Sequence, residues 1–209
     1  HINLFSSTFD FKLCSKKIIY SNSDYLLNLS TFLNEKIEKV NFTTRDLSNK
    51  FLDEAKKLLP NKDYVGLSMT QGNFYRKKSW SKEKFIKLAK KIKEKNKKPV
   101  FLIEKGNIEL INEIKKSIPD AIIPEENSEM SCPALVTALA TRLDSAISID
   151  NGIMHMIGLT EVKLIVLFGP TSSVKFAPSN KNTIIIDSKV RYGTPDIEKI
   201  TVDEVIKYI

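Results

Sequence analysis

Hydrophobic and polar positions change their period repeatedly along this chain, and each change marks an element. Continuous apolar runs at Tyr64 to Met69, Pro99 to Ile103, Ala121 to Ile123, Ala146 to Ile149 and Leu164 to Phe168 read as strands covered on both faces. Between them, apolar residues recur at helical spacing over Ser81 to Asn96, Asn107 to Ser117 and Cys132 to Leu143. A further helix, carrying His155, opens at Asp150, Asn151 and Gly152. One helix precedes the first strand, Asn49 to Leu59, and Pro60 with Asn61 ends it. Another opens at Thr201 and runs to Ile209. Start signals agree with these assignments: Ser81 stands before Lys82-Glu83-Lys84 as an N-cap, and Pro133 follows Ser131 by two positions. Strands separated by helices of this length predict an α/β domain, a parallel sheet with helices on both faces and right-handed crossovers.

The alternation begins only after residue 45. Residues 1–45 hold an irregular polar segment and one amphipathic helix, Ser23 to Asn34, with too few strands to form a sheet. The expected organisation is therefore a remnant of another domain with its linker over 1–45, followed by the α/β domain over 46–209. The helix-opening sequence at 201 makes the carboxyl end of that domain look complete.

Charge changes this picture little. The net charge of +8 would suit nucleic acid or an anionic surface. Yet only four of the 33 basic residues are arginine, and the chain is rich in Lys, Ile and Asn throughout, as expected of a biased coding sequence rather than a nucleic-acid stripe. The densest lysine run, Lys82 to Lys98, alternates with Phe85, Ile86, Leu88, Ala89 and Ile92, so its lysines belong on a solvated helix face. A peripheral contact with anionic lipid is the alternative reading of that face. Cys14 and Cys132 lack metal or redox spacing and read as reduced cytoplasmic thiols. No stretch reaches the roughly 20 apolar residues of a membrane span.

The most informative segment is 145–178. There a strand ends in Asp150-Asn151-Gly152, a helix follows, and the next strand ends in Gly169-Pro170-Thr171. In open parallel sheets ligands bind outside the carboxyl ends of the strands, where helix N-termini offer free N–H groups to anions. This is the expected place for a phosphate.

Four features now occur in order: Lys78-Ser79-Trp80 before a helix, Met130-Ser131 leading another, the D-N-G-x-x-H run Asp150 to His155, and L-F-G-P-T at Leu167 to Thr171. Together they resemble glycosyltransferase family 9, the ADP-heptose:lipopolysaccharide heptosyltransferases. The resemblance covers roughly residues 46 to 209. It implies the Rossmann-like, donor-binding C-terminal half of a two-domain GT-B enzyme.

The resemblance also implies roles. Lys78 would meet the diphosphate as a point charge, with Arg76 and Lys77 as neighbouring alternatives in the same run. Asp150, Asn151 and Gly152 would form the second half of that site, Gly152 by close backbone approach. Asn151 stands where the family usually has threonine. Asp150 suits a sugar hydroxyl or a structural cap better than an anion. His155 would donate to the diphosphate and, as imidazolium, counter the leaving group's charge; the plain alternative is a packed histidine. Met130 would border the adenine, and Glu104 or Glu109 would hold the ribose hydroxyls. Thr171 could offer a hydroxyl at the pocket floor, while Trp80 reads as a packing anchor.

The implied activity is inverting, metal-independent transfer of a sugar, heptose by default, from an ADP-sugar to a lipid-linked, lipopolysaccharide-type saccharide. The sugar nucleotide is a substrate, so no cofactor is called for. The expected setting is the cytoplasm, at or near the cytoplasmic face of the inner membrane. The family's catalytic base is an aspartate of the N-terminal half, and residues 1–45 offer no counterpart. This chain alone is therefore expected to bind donor without turnover. A non-catalytic nucleotide-sugar binding module and a GT-B-like enzyme of another kind, such as an epimerase, are the competing classes.

Overall fold

Every side chain of the strand Tyr64–Ser68 is buried, although that strand has no polar/apolar alternation to choose a face. The reason is a sheet sandwiched between two helix layers. In this computed structural model, which describes residues 44–71 and 78–209, five strands pair in parallel. They are β1 (Tyr64–Ser68), β2 (Lys98–Phe101), β3 (Ser145–Ile149), β4 (Lys163–Phe168) and β5 (Thr183–Asp187), in the spatial order β2-β1-β3-β4-β5. The proposed domain remnant, with its helix Ser23 to Asn34 and Cys14, lies outside the described residues, as do Arg76 and Lys77.

Successive strand residues feed two separate cores. Val65, Leu67, Ile147, Ile149, Ile165 and Leu167 pack on one face against α2 (Lys82–Glu94) and α3 (Ile108–Ser117). Tyr64, Ala146, Leu164, Val166 and Phe168 pack on the other against α1 (Asn49–Leu58), α4 (Pro133–Ala140) and α5 (Gly152–Gly158). Pro133 opens α4, as its fixed φ and missing N–H favour. Ser81 does precede α2, but its N–H and hydroxyl are held by the Glu198 carboxylate (2.5 and 3.1 Å).

Two expectations are modified. The run Ala121 to Ile123 makes only a single parallel bridge, Ile122 to Val100, before Pro124 begins a 3-10 turn. Proline has no N–H to continue the ladder. Conversely, β5 is an additional strand along an edge, unrecognised because its apolar run is only Ile184 to Ile186, flanked by polar residues. The last helix is also shorter than expected, with α8 (Val202–Val205) passing into a 3-10 turn. Two short helices, α6 (Ser173–Phe176) and α7 (Ser188–Tyr192), flank β5.

Counting the Ile122 bridge as a sixth sheet position, the chain visits the sheet in the order 3-2-1-4-5-6, the Rossmann arrangement. The order reverses between β1 and β3. At that reversal the crossovers leave in opposite directions, one over each face, so a crevice opens at the carboxyl ends of these two strands.

Four of the six α2 lysines pair with acidic neighbours. Lys82, Lys84, Lys91 and Lys93 pair with Glu113, Glu198, Asp203 and Asp120, and Lys97 pairs with Asp144, at 2.5 to 3.1 Å. Trp80 is 1% exposed, stands edge-on to Phe85 and donates from Nε1 to the Ile200 carbonyl at 2.9 Å. It is a packing anchor that fixes the chain two residues after Lys78. Trp80→Phe should lower unfolding free energy by about 1–3 kcal/mol, because a buried hydrogen bond is lost and the smaller ring leaves space in the core, while Lys84 remains as a donor to the Ile200 carbonyl. Urea denaturation followed by circular dichroism checks this, and an unmoved midpoint would contradict it.

Candidate nucleotide site at the strand reversal

β1 ends in Ser68 and continues through Met69, Thr70 and Gln71, while β3 ends in Ile149 and turns through Asp150 into α5. Since β1 and β3 are direct neighbours, with Ser68 level with Ser148, both polar turns emerge side by side. The Lys78 ammonium reaches across the reversal point to Asp150. Its Nζ lies 2.8 Å from Oδ2 and donates to the backbone oxygen of Asp150 at 3.3 Å. The carboxylate contact is an ion pair without hydrogen-bond geometry, so Oδ2 is buried with no directed donor. Both side chains are largely shielded, at 16% and 7% exposure. Such a pair gains more from Coulomb attraction than a surface pair does.

Asn151 caps α5 by accepting from the Met154 N–H at 2.8 Å. Its two amide hydrogens go to the Ser68 hydroxyl and the Thr70 carbonyl, both at 2.8 Å. The Ser148 hydroxyl lies 3.2 Å from its oxygen. With these four contacts the side chain has no spare donor, so what this position presents outward is backbone. A Cβ on Gly152 would meet nothing within 4 Å, so the α5 start is open to an approaching group.

His155 sits on the exposed side of α5. Its ring is open to solvent on one side yet has enough protein around it that partial burial holds its pKa below the usual imidazole value. The Asp150 charge opposes that shift and the Lys78 charge reinforces it, which places His155 within the field of the pair. At neutral pH the imidazole is uncharged, and it offers one N–H donor.

The other sequence-derived candidates divide. Glu104 is exposed in the loop after β2, and its charge adds to the burial that raises the pKa of Glu125. Glu125, 2% exposed, accepts from the Ser131 hydroxyl at 3.3 Å, so Glu104 lies beside the segment that carries Met130. Met130 is half-buried against the second core. Glu109 is exposed in the first turn of α3. Thr171 is buried, with a hydroxyl that has no partner.

Several residues of the site carry no motif and were not anticipated. Besides Ser68, Thr70, Gln71 and Glu125, these include Asp187, which accepts from the Ser173 hydroxyl (2.6 Å) and the Lys189 N–H (2.9 Å). Lys189 in turn donates to the carbonyls of Pro170 and Thr171. Gly169 allows this turn, since a Cβ there would come within 2.9 Å of the Pro195 carbonyl. The only readable signal was the polar run at the end of each strand.

A cavity of about 890 Å³ opens elsewhere, lined by Leu143, Asp144, Leu159, Val162 and Lys163. Lys163 starts β4, so this is the amino edge of the sheet, opposite the strand reversal. Among the described residues no group of three His, Cys, Asp or Glu side chains is placed to hold a metal, and no helix is long and apolar enough to cross a membrane.

None of the curated proteins matches this chain. Solved structures do. A glycosyl transferase of family 9 from Veillonella parvula superposes with a TM-score of 0.65 at 17% identity, over 78% of this chain and 51% of that one. The E. coli ADP-heptose lps heptosyltransferase II gives 0.62 at 16% identity, over 78% and 51%. E. coli heptosyltransferase WaaC, solved with ADP, gives 0.60 at 15% identity, over 74% and 47%. At these identities the likeness establishes the fold, and the chain spans about half the length of these relatives. The family model for glycosyltransferase family 9 (heptosyltransferase) matches residues 28–206, beginning upstream of the segment where the motifs are legible. This chain therefore belongs to glycosyltransferase family 9.

Proposed function

We propose that this chain carries the donor-binding, C-terminal half of a heptosyltransferase-like enzyme. Its substrate would be an ADP-sugar, heptose being the family's default, and its acceptor a lipid-linked, lipopolysaccharide-type saccharide at the cytoplasmic face of the inner membrane. The observation that carries the reading is the shielded Lys78 ammonium held at the reversal between β1 and β3, next to the open start of α5. A cation at the carboxyl edge of a parallel sheet, beside free backbone N–H groups, suits a diphosphate. The likeness to heptosyltransferase WaaC, solved with ADP, supports adenine as the base.

In the proposed reaction an acceptor hydroxyl attacks the anomeric carbon while the bond to the diphosphate breaks. Inversion follows from a single displacement. Negative charge grows on the departing diphosphate, and groups already aimed there stabilise the transition state more than the ground state. Lys78 would exchange Asp150 for the diphosphate, and His155 would donate its N–H. Asp150, released, would turn toward a sugar hydroxyl. Glu104, beside the Met130 segment, is preferred over Glu109 for the ribose, and Thr171 would lie at the pocket floor. The charge is assigned to protein donors, without a metal. The general base is assigned to the acceptor half, outside the described residues.

The half-length match favours a second reading, sugar-nucleotide binding without transfer. Sugar transfer to an acceptor by the full-length protein would eliminate it.

Calorimetric titration of the chain with ADP, UDP and GDP tests the assignment. Selective ADP binding is expected, weakened by about 1–3 kcal/mol in Lys78→Ala, the range for a charge-assisted contact. A preference for UDP would discard the ADP-sugar assignment. His155 gives an independent check, since His1 is the only other histidine. In the free chain its NMR titration should fall below about 6.5. Saturating ADP should move it upward, because a nearby anion favours the imidazolium. An unmoved midpoint would remove His155 from the diphosphate site.

A further inference from the structure

Around the reversal point the polar contacts close into a ring. Starting at Asn151, the side-chain amide donates to the Thr70 carbonyl at 2.8 Å. The next residue, Gln71, accepts the backbone N–H of Lys78 on its Oε1 at 3.0 Å, pinching together the two ends of the loop between them. The Lys78 side chain then returns to Asp150, the residue preceding Asn151. A fourth contact, from the Asn151 amide to the Ser68 hydroxyl at 2.8 Å, fastens the ring to the end of β1.

We infer that Asn151 and Gln71 are positioning residues, which act on the donor diphosphate by holding the Lys78 ammonium over the strand reversal. This rests on the donor-site reading above and adds to it two side chains that do not themselves touch the ligand. The physical reason is entropic. A lysine carries a flexible four-carbon stem, and here the backbone from which it springs is held by Gln71, seven residues earlier. Fixing that backbone by its own N–H limits where the Lys78 side chain starts before the ligand arrives, and preorganisation of this kind improves affinity without a new contact. Asparagine suits the task because it satisfies three directions at once: the α5 N–H of Met154, the Ser68 hydroxyl and the Thr70 carbonyl. A threonine hydroxyl could still cap α5, but it is too short to reach both partners on the β1 side. Gln71 has the length to turn back onto Lys78, which alanine or serine lacks.

The test compares the full chain with Asn151→Thr, Gln71→Ala and Lys78→Ala, singly and combined. Hydrogen exchange is read without ligand, and binding is read with ADP and with inorganic pyrophosphate. Asn151→Thr keeps the cap but takes the amide from the Thr70 carbonyl and the Ser68 hydroxyl, so its melting temperature should fall while the chain still folds, and the comparison is made well below it. Exchange of the Lys78 amide should rise by about tenfold or more in either ring variant. Both probes should bind about tenfold more weakly, and this loss should vanish when Lys78 is already alanine, because residues acting through one group are not additive. Unchanged Lys78 exchange would overturn the ring. An equal loss in the Lys78→Ala background would overturn positioning and make Asn151 or Gln71 a direct contact. Failure of the parent chain to bind either probe would instead overturn the donor-site reading, with exchange deciding the ring by itself.

Discussion

Everything at this site follows from where a parallel sheet must reverse its order. Strands buried on both faces need a helix over each face, and the chain meets this by building α2 and α3 over one and α4 and α5 over the other. β1 and β3 are the neighbours whose following helices go to opposite faces. Their carboxyl ends are therefore parted by topology, and the gap is lined with whatever ends those strands. Here the strand ends supply Ser68, Thr70 and Gln71 on one side and Asp150, Asn151 and His155 on the other.

Such a gap would be unstable if its polar groups were left unpaired, since each buried orphan costs on the order of 1–3 kcal/mol. The ring through Asn151, Thr70, Gln71, Lys78 and Asp150 meets most of that cost internally, with Asp150 Oδ2 held by charge alone. It also sets the terms on which a ligand can enter. Asp150 occupies Lys78 in the free protein, so an anion must offer the ammonium more than that carboxylate does. A diphosphate, with several oxygens and more than one charge, can do this, whereas a single carboxylate gains nothing by exchange. His155 lies in the same field: burial lowers its pKa, the Asp150 charge opposes that shift and the Lys78 charge reinforces it.

Much of this was legible in the chain itself. The continuous apolar runs gave the parallel sheet and its two covered faces, and the family motifs led to Lys78, Asp150 and His155. What escaped was of two kinds. β5 escaped because its apolar run is only Ile184 to Ile186, flanked by polar residues, and Ala121 to Ile123 was overread because Pro124 stops the ladder after one bridge. The partners of the site residues were invisible for a different reason. Nothing in the spacing of Gln71 or Asn151 says that one pairs with the Lys78 backbone and the other with Thr70, since such bonds depend on which strands become neighbours. The saturation of Asn151 is likewise a property of the fold and not of the motif, and it transfers the expected ligand contact from side chain to backbone.

The central claim is that the ligand edge of this protein is the carboxyl edge of its sheet, at the β1/β3 reversal, and not the amino edge where the cavity of about 890 Å³ lies. Mapping amide chemical-shift changes on addition of ADP separates the two directly. The account predicts that shifts concentrate at Ser68 to Gln71, Lys78 and Asp150 to His155. Shifts concentrated instead around Leu143, Leu159 and Val162 would contradict it.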